Sequence, residues 1–267
     1  MAAYTYELPV LVSSDEASGA FNVNPGRSRF DVSFPQEIHI PQLAKNVTVS
    51  VTNATLWYTS FNISAALANN MFYLDVQDDG VYAVTIADGL YDLSALAHAI
   101  NVGLVNQGLA SNIITFTPDP ASQRVVINFS VAGLRIDFTG ANSCRLIMGF
   151  DSVLSPAVHT TDIYSLYGNN TAQFNTIDYF LLHSDIVNGG IPVSGKSTSV
   201  IARVVIDTAP GTQIIHAPNQ PIRIPAQHLA GTSINRLHCW VTTQDGTTQP
   251  DLNTENFSIL MIITYQM

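Results

Sequence analysis

Charge is what this sequence has least of. Only 11% of its 267 residues are Asp, Glu, Lys or Arg, against about 25% in an average globular protein. So few charges imply a surface covered by partners or built from neutral polar side chains, and here Asn, Thr, Ser and Gln take the usual places of Lys and Glu. Ten Lys and Arg against twenty Asp and Glu leave a net charge of −10. Direct nucleic-acid binding is therefore not expected, because it needs clustered Lys and Arg, and Arg27 with Arg29 is the nearest approach to a cluster. No apolar run nears the roughly 18 residues of a membrane span, so membrane insertion is not expected. The opening MAAYTYELPVLVSSDE has no basic region ahead of its short apolar Leu8–Val12 stretch, unlike a secretory signal. The two cysteines, Cys144 and Cys239, stand far apart and read as reduced core thiols. The six N-x-S/T sequons, at Asn46, Asn53, Asn62, Asn128, Asn169 and Asn256, follow from Asn/Thr-rich composition, several of them inside strand patterns.

Catalytic groups are equally sparse. The four glutamates, Glu7, Glu16, Glu37 and Glu255, form no paired-carboxylate arrangement. The seven histidines (39, 98, 159, 183, 216, 228 and 238) include no H-x-H or H-x-x-x-H, and His238-Cys239 is an isolated pair rather than a metal framework. His183-Ser184-Asp185 contains the residue types of a hydrolytic triad, but neighbours on a strand point to opposite faces and cannot relay a proton. Asp75-Val-Gln-Asp-Asp79-Gly80 imitates the start of a calcium loop, yet the position of the bidentate Glu holds Ile86. Gly190-Ile-Pro-Val-Ser-Gly195-Lys196-Ser197 satisfies G-x-x-x-x-G-K-[ST]. A phosphate loop needs a helix N-terminus directly after it, whereas Thr198–Asp207 (TSVIARVVID) has five Val/Ile residues in ten and reads as a strand. No catalytic, cofactor-binding or metal-binding residue is assigned, and the chain is read as a non-enzyme.

What is present is strand pattern. Thr176–Val187, Val200–Asp207, Pro221–Pro225, Ser233–Thr243 and Phe257–Tyr265 are rich in Val, Ile, Phe, Tyr and Thr and bounded by Gly, Pro, Asn or Asp, the mark of an antiparallel sandwich. Upstream, Phe30, Val32 and Phe34 alternate with polar residues in a strand stopping at Pro35, and Ile38 and Ile40 alternate again. Asn46–Ile63 is a long strand whose phase slips near Asn53–Ala54, predicting a bulge or bend. Residues 1–26 show no periodicity and read as an arm ordered by a neighbour. Trp57-Tyr58 and Trp240 serve equally well as core anchors or contact residues.

Residues 64–175 differ in character. Phe72–Val76 and Val81–Ile86 flank Asp78-Asp79-Gly80, a hairpin signal. Asp92 to about Gln107 is the one amphipathic helix, with Leu93, Leu96, Ala97, Ile100 and Leu104 on one face, Asp92 as N-cap and Gly108 as stop. Ile113–Thr117, Arg124–Ser130 and Leu134–Thr139 follow as strands, then the short apolar piece Cys144–Phe150 and a polar return, Thr160–Asn175. The expected fold is mainly β: an antiparallel jelly-roll β-sandwich from residues 27–63 and 176–267, with an inserted α+β subdomain at 64–175.

Several stretches in order carry a resemblance. They are Phe30–Pro41 (FDVSFPQEIHIP), Ala44–Ile63 ending WYTSFNI, Val84–Leu96 (VTIADGLYDLSAL), ITFTPD, Leu146–Phe150 (LIMGF), Leu181–Val187 (LLHSDIV), GKSTSV, APGTQIIH, NQPIRIP and LNTENFSIL. Together they span almost everything from residue 29, and the chain resembles the single jelly-roll penton (minor capsid) proteins of polinton-like viruses, adintoviruses and virophages. The resemblance implies a homopentamer at the five-fold vertices of an icosahedral virion, assembled inside the host cell. It also implies contact with double jelly-roll trimers of a major capsid protein, with cement proteins or a host receptor as further partners, an insertion projecting from the vertex, and no cofactor. The insertion matches no particular receptor-binding module. Two other readings remain: a major capsid protein, which needs two eight-stranded rolls where roughly five strands follow residue 176 and three precede residue 64, and a receptor- or glycan-binding spike built on the same sandwich. For the phosphate-loop pattern, ATP retention is expected at background in the parent chain and in Lys196→Ala alike; saturable binding lost in the variant would reinstate it.

Overall fold

A computed structural model describes residues 4–193, 198–209 and 211–267. The chain begins with strands β1 (Thr5–Ser13), β2 (Ala20–Phe21), β3 (Arg29–His39) and β4 (Lys45–Trp57). Next come β5 (Met71–Val76), β6 (Gly80–Thr85), helix α1 (Leu93–Asn106), β7 (Ile114–Pro118), β8 (Val125–Phe129), β9 (Leu134–Asp137), α2 (Arg145–Met148), β10 (Leu154–Ser155) and β11 (Ser165–Tyr167). It ends with β12 (Tyr179–Ser184), β13 (Val200–Val205), β14 (Gln213–His216), β15 (Ile224–Pro225), β16 (Ser233–Thr242) and β17 (Ser258–Gln266). Two compact units result, one from the residues up to Ser60 with Ile177–Met267, the other Phe61–Thr176. Among the described residues no helix is long and apolar enough to cross a membrane.

The first unit holds two antiparallel sheets, β1-β17-β4-β14 with β15 also on β4, and β13-β12-β16-β3-β2. Its eight main strands, β1, β4, β14 and β17 in one sheet and β3, β12, β13 and β16 in the other, follow the order of an eight-stranded jelly roll, with the second unit inserted between the third and fourth. Alternation supplies the core: Val10, Val12, Val49, Val51, Leu56, Ile259, Met261 and Ile263 are buried from one sheet, Phe30, Phe180, Leu182, Val204, Leu237, Cys239 and Val241 from the other. Phe30 meets Phe257 edge-to-face at 5.0 Å.

Several expectations change. Residues 5–13 are no arm. Tyr6, Leu8, Val10 and Val12 do alternate, and they pair across from Tyr265, Ile263, Met261 and Ile259 as the first strand of the roll. Pro35 ends nothing: β3 runs to His39, and residues 34–37 lie opposite the single Asn235 in a bulge where the ladder needs no proline N–H. The slip in β4 is a bulge at Thr52, between the pairs Val51–Met261 and Asn53–Leu260. β4 stops at Trp57 rather than Ile63, and Gln213–His216 is a strand that pairs with its end.

In the second unit β10-β9-β5-β6 and β11-β8-β7 form two small sheets. Asp78 and Gly80 take left-handed φ of 64° and 99°, making the expected hairpin turn. Asp92 caps α1 by accepting from the Ala95 N–H at 2.7 Å, and Leu96, Ile100 and Leu104 are its buried stripe. They join Phe72, Leu74, Val84, Ile114, Ile127 and Ile136 in one core. A second helix, one turn at Arg145–Met148, occupies the apolar piece Cys144–Phe150. The polar return holds a strand, Ser165–Tyr167, on β8. Asn62, buried, ties the unit together: its amide donates to the carbonyls of Tyr91 at 2.7 Å and Phe174 at 2.8 Å, and its oxygen accepts from the Tyr91 N–H.

Glycine in a helix interior costs about 1 kcal/mol relative to alanine, yet α1 keeps Gly103. A β-carbon there would stand 2.3 Å from Cγ1 of buried Val84, so the glycine lets helix and sheet approach closely. Gly103→Ala should therefore lower stability by about 1–3 kcal/mol through overpacking instead of raising it. In denaturant titrations, adding Val84→Ala should recover part of that loss.

Candidate functional site

Several residues of the sequence patterns that imitate chemical sites have structural partners. Ser194–Ser197 of the phosphate-loop pattern lie outside the described residues. Around them, the Gly190 N–H donates to the Thr198 carbonyl at 2.6 Å and the Ile191 N–H to the Val200 carbonyl at 2.8 Å. Strand β13, not a helix, follows. Gly190 has its own reason to be glycine, since a β-carbon would lie 2.1 Å from the Val200 carbonyl oxygen. In the calcium-loop imitation, Asp75 is buried and paired with Arg135, with His159 3.6 Å away, while Asp79 accepts the Tyr82 hydroxyl. No group of three or more His, Cys, Asp or Glu that could hold a metal ion occurs among the described residues.

His183, Ser184 and Asp185 have separate surroundings. Ser184 faces the core beside Cys239, and Asp185 accepts from the His238 N–H at 2.9 Å. His183 lies on the opposite face, where its ring nitrogens meet Ser199 Oγ at 3.1 Å and Thr242 Oγ1 at 2.8 Å. Cys144 and Cys239 are free and buried, and burial pushes both thiols up to about 12, so neither is a ready nucleophile.

Sequence reasoning missed a polar row on the outer face of β3, β16 and β12. Its only signal is that Arg236, His238, Trp240 and Thr242 alternate with buried Leu237, Cys239 and Val241. Cross-strand pairing brings Asp31 opposite His238. Asp31 accepts from Arg236 at 2.7 Å, His238 Nδ1 at 2.8 Å and Asn22 at 2.7 Å. Burial raises its carboxyl, but these donors together outweigh burial and hold it below the ordinary value. Trp240, half-buried, lies between His183, stacked at 4.9 Å, and His238, tilted at 4.9 Å. Arg236 also covers the Phe21 ring and Arg203 that of Tyr179. Asp31, Arg236 and Arg203 on this sheet thus each have a partner within the chain.

The outer face of the other sheet is its opposite. Leu11 stands across from Leu260, and Leu260 from Asn53. Pro9 faces Ile262, and Ile262 faces Ser50. Ser13, Ser258, Thr55 and Ile215 complete a third uncharged row. Leu11 and Ile215 are 67% and 62% exposed. Two open depressions, of about 210 Å³ beside Arg236 and about 230 Å³ beside Val102 and Val105, are smaller than common small-molecule sites. The broad neutral sheet face suits a macromolecular contact better than either depression suits a ligand.

Burial lowers His183 from 6.5 to about 4, so the folded protein holds it neutral. The unfolded chain takes up its proton near pH 6.5, the folded chain only near pH 4. This contribution to stability is thus complete above 6.5 and is lost as pH falls toward 4, by roughly 1–3 kcal/mol after allowance for solvent screening. Thermal melts between pH 7 and 4 should show that loss in the parent and a flatter profile in His183→Gln. Asp31, held below 3.8, contributes its own loss only at lower pH.

No family model matches this chain, and no curated protein sequence does. Among solved structures, the crystal structure of SeMet-labelled mavirus penton protein matches with a TM-score of 0.53 at 14% identity, covering 99% of this chain and 100% of that one. The likeness spans both units, and what the two chains share is a penton-like jelly-roll fold with its insertion.

Proposed function

We propose that the chain is a structural capsid protein, the penton subunit that forms homopentamers at the five-fold vertices of an icosahedral virion. The observation that carries this reading is the end-to-end structural match with a penton protein, insertion included. A jelly roll alone would not suffice, since the fold also serves lectins and cupins. The chemistry agrees: Asp31 and Asp75 are held in internal ion pairs, and the central rows of one sheet face are uncharged and open to contact. A major capsid protein would need a second roll, and Phe61–Thr176 is instead an α+β unit. In the proposed vertex, the ring is surrounded by double jelly-roll trimers of the major capsid protein.

Electron microscopy and mass photometry of the purified protein, alone and co-expressed with its major capsid protein, test the proposal. The expected result is five-fold rings with a mass about five times the 28.9 kDa chain, and their incorporation into particles. A stable monomer that never enters particles would overturn it.

A further inference from the structure

We infer that the uncharged central rows on the outer face of the β1-β17-β4-β14 sheet, next to the row that carries Glu7, are the surface through which one copy of this chain contacts the next. The inference rests on the homopentamer proposed above and adds which face of the roll makes the contact. Its centre is Pro9, Leu11, Leu260, Ile262 and Ile215, set among Ser, Thr and Asn side chains. Three rows two residues apart, two crossing three strands and one crossing four, span about 14 by 10–14 Å between backbone positions, or roughly 150–200 Å². That supplies the core of an interface that in standard cases buries about 800 Å² per partner, the remainder being a polar rim. Exposed apolar groups gathered on one sheet face are unusual unless something covers them.

Charge selects the occupant. A chain of net charge −10 repels its own copies, so a surface without that charge is the place where they approach at least electrostatic cost. A different protein would be free to use opposite charges for recognition. The outer face of the other sheet displays Arg29, Asp31, Arg203 and Arg236, whereas the three central rows of this one display no ionisable side chain at all. In a closed ring each contact is head-to-tail, so this face meets a different surface of its neighbour, and both sides of every contact are lost if it is spoiled.

The test is Leu11→Asp with Ile215→Asp, compared with the parent and with Val81→Asp, which places a carboxylate at an exposed valine of the insertion. The concentration at which half the protein is assembled should rise on the order of 100-fold in the double variant, because each contact would bury unpaired carboxylates. Val81→Asp should leave assembly unchanged. Thermal midpoints show whether each variant is folded. Carbene footprinting of the parent gives a readout that depends on no variant: Leu11 and Ile215 should be labelled in dissociated subunits and protected in the ring. If the double variant still forms rings, or the two side chains stay labelled in parent rings, the inference fails and the penton reading stands. Rings that form normally but no longer enter particles would assign the face to the major capsid protein and equally overturn the inference. A parent that is monomeric with and without its capsid partner would overturn the penton reading and this inference with it.

Discussion

The last strand of the chain lies between its first and its third long strands, and this placement governs the rest of the structure. β17 pairs with β1 on one side and with β4 on the other. The Phe257 N–H also donates to Ser14 Oγ across 243 positions of sequence. Neither sheet neighbour can be covered until the C-terminal residues arrive, so the loop-closure cost is met late and folding is expected to be slow for the chain's size. Burial along β17 offsets that cost, with Ile259, Met261 and Ile263 fully enclosed. Removing the strand would leave Val10, Val12, Val49 and Val51 without their nearest packing partners.

An insertion can interrupt such a roll only if it returns its ends to neighbouring places. Asn62 shows how this is done. One buried amide satisfies both donors and its acceptor on backbone groups of Tyr91 and Phe174, so the segment just after the departure, the approach to α1 and the segment just before the return are held by a single side chain. Buried amides without partners are costly, which makes this arrangement close to all-or-none. The insertion has its own core around α1, so its folding and that of the roll draw on separate hydrophobic surfaces.

Legibility followed locality. The Asp78–Gly80 hairpin and the Asp92-capped helix are set by residues within a few positions of each other, and both are plain in the sequence. β1 was not, because Pro9 at the middle of TYELPVLVS argues against a strand unless one knows that it is an edge strand, where a proline on the free side loses no hydrogen bond. Pro35 misled for a similar reason: a bulge opposite Asn235 excuses it, and a bulge is defined by the partner strand. The polar row of Asp31, His238, Trp240 and His183 is drawn from three strands, so its alternation is visible along β16 but its meaning is not. The neutral sheet face was legible only as a shortage of charge, and its location required the register of four strands.

The distribution of that shortage is the more informative quantity. Residues 61–176 carry nine acidic and three basic side chains, so most of the net charge belongs to the insertion. Within the roll, Asp31 is paired with Arg236 and hydrogen-bonded to His238, and His183 is kept uncharged by burial. A protein that had only to remain dispersed would do better with charge spread evenly over its surface. Segregation instead concentrates acidic side chains in the insertion and leaves the central rows of one sheet face of the roll without charge. Low charge content in this chain is thus a matter of position: the insertion and one sheet of the roll display charges, and the central rows of the other sheet carry none.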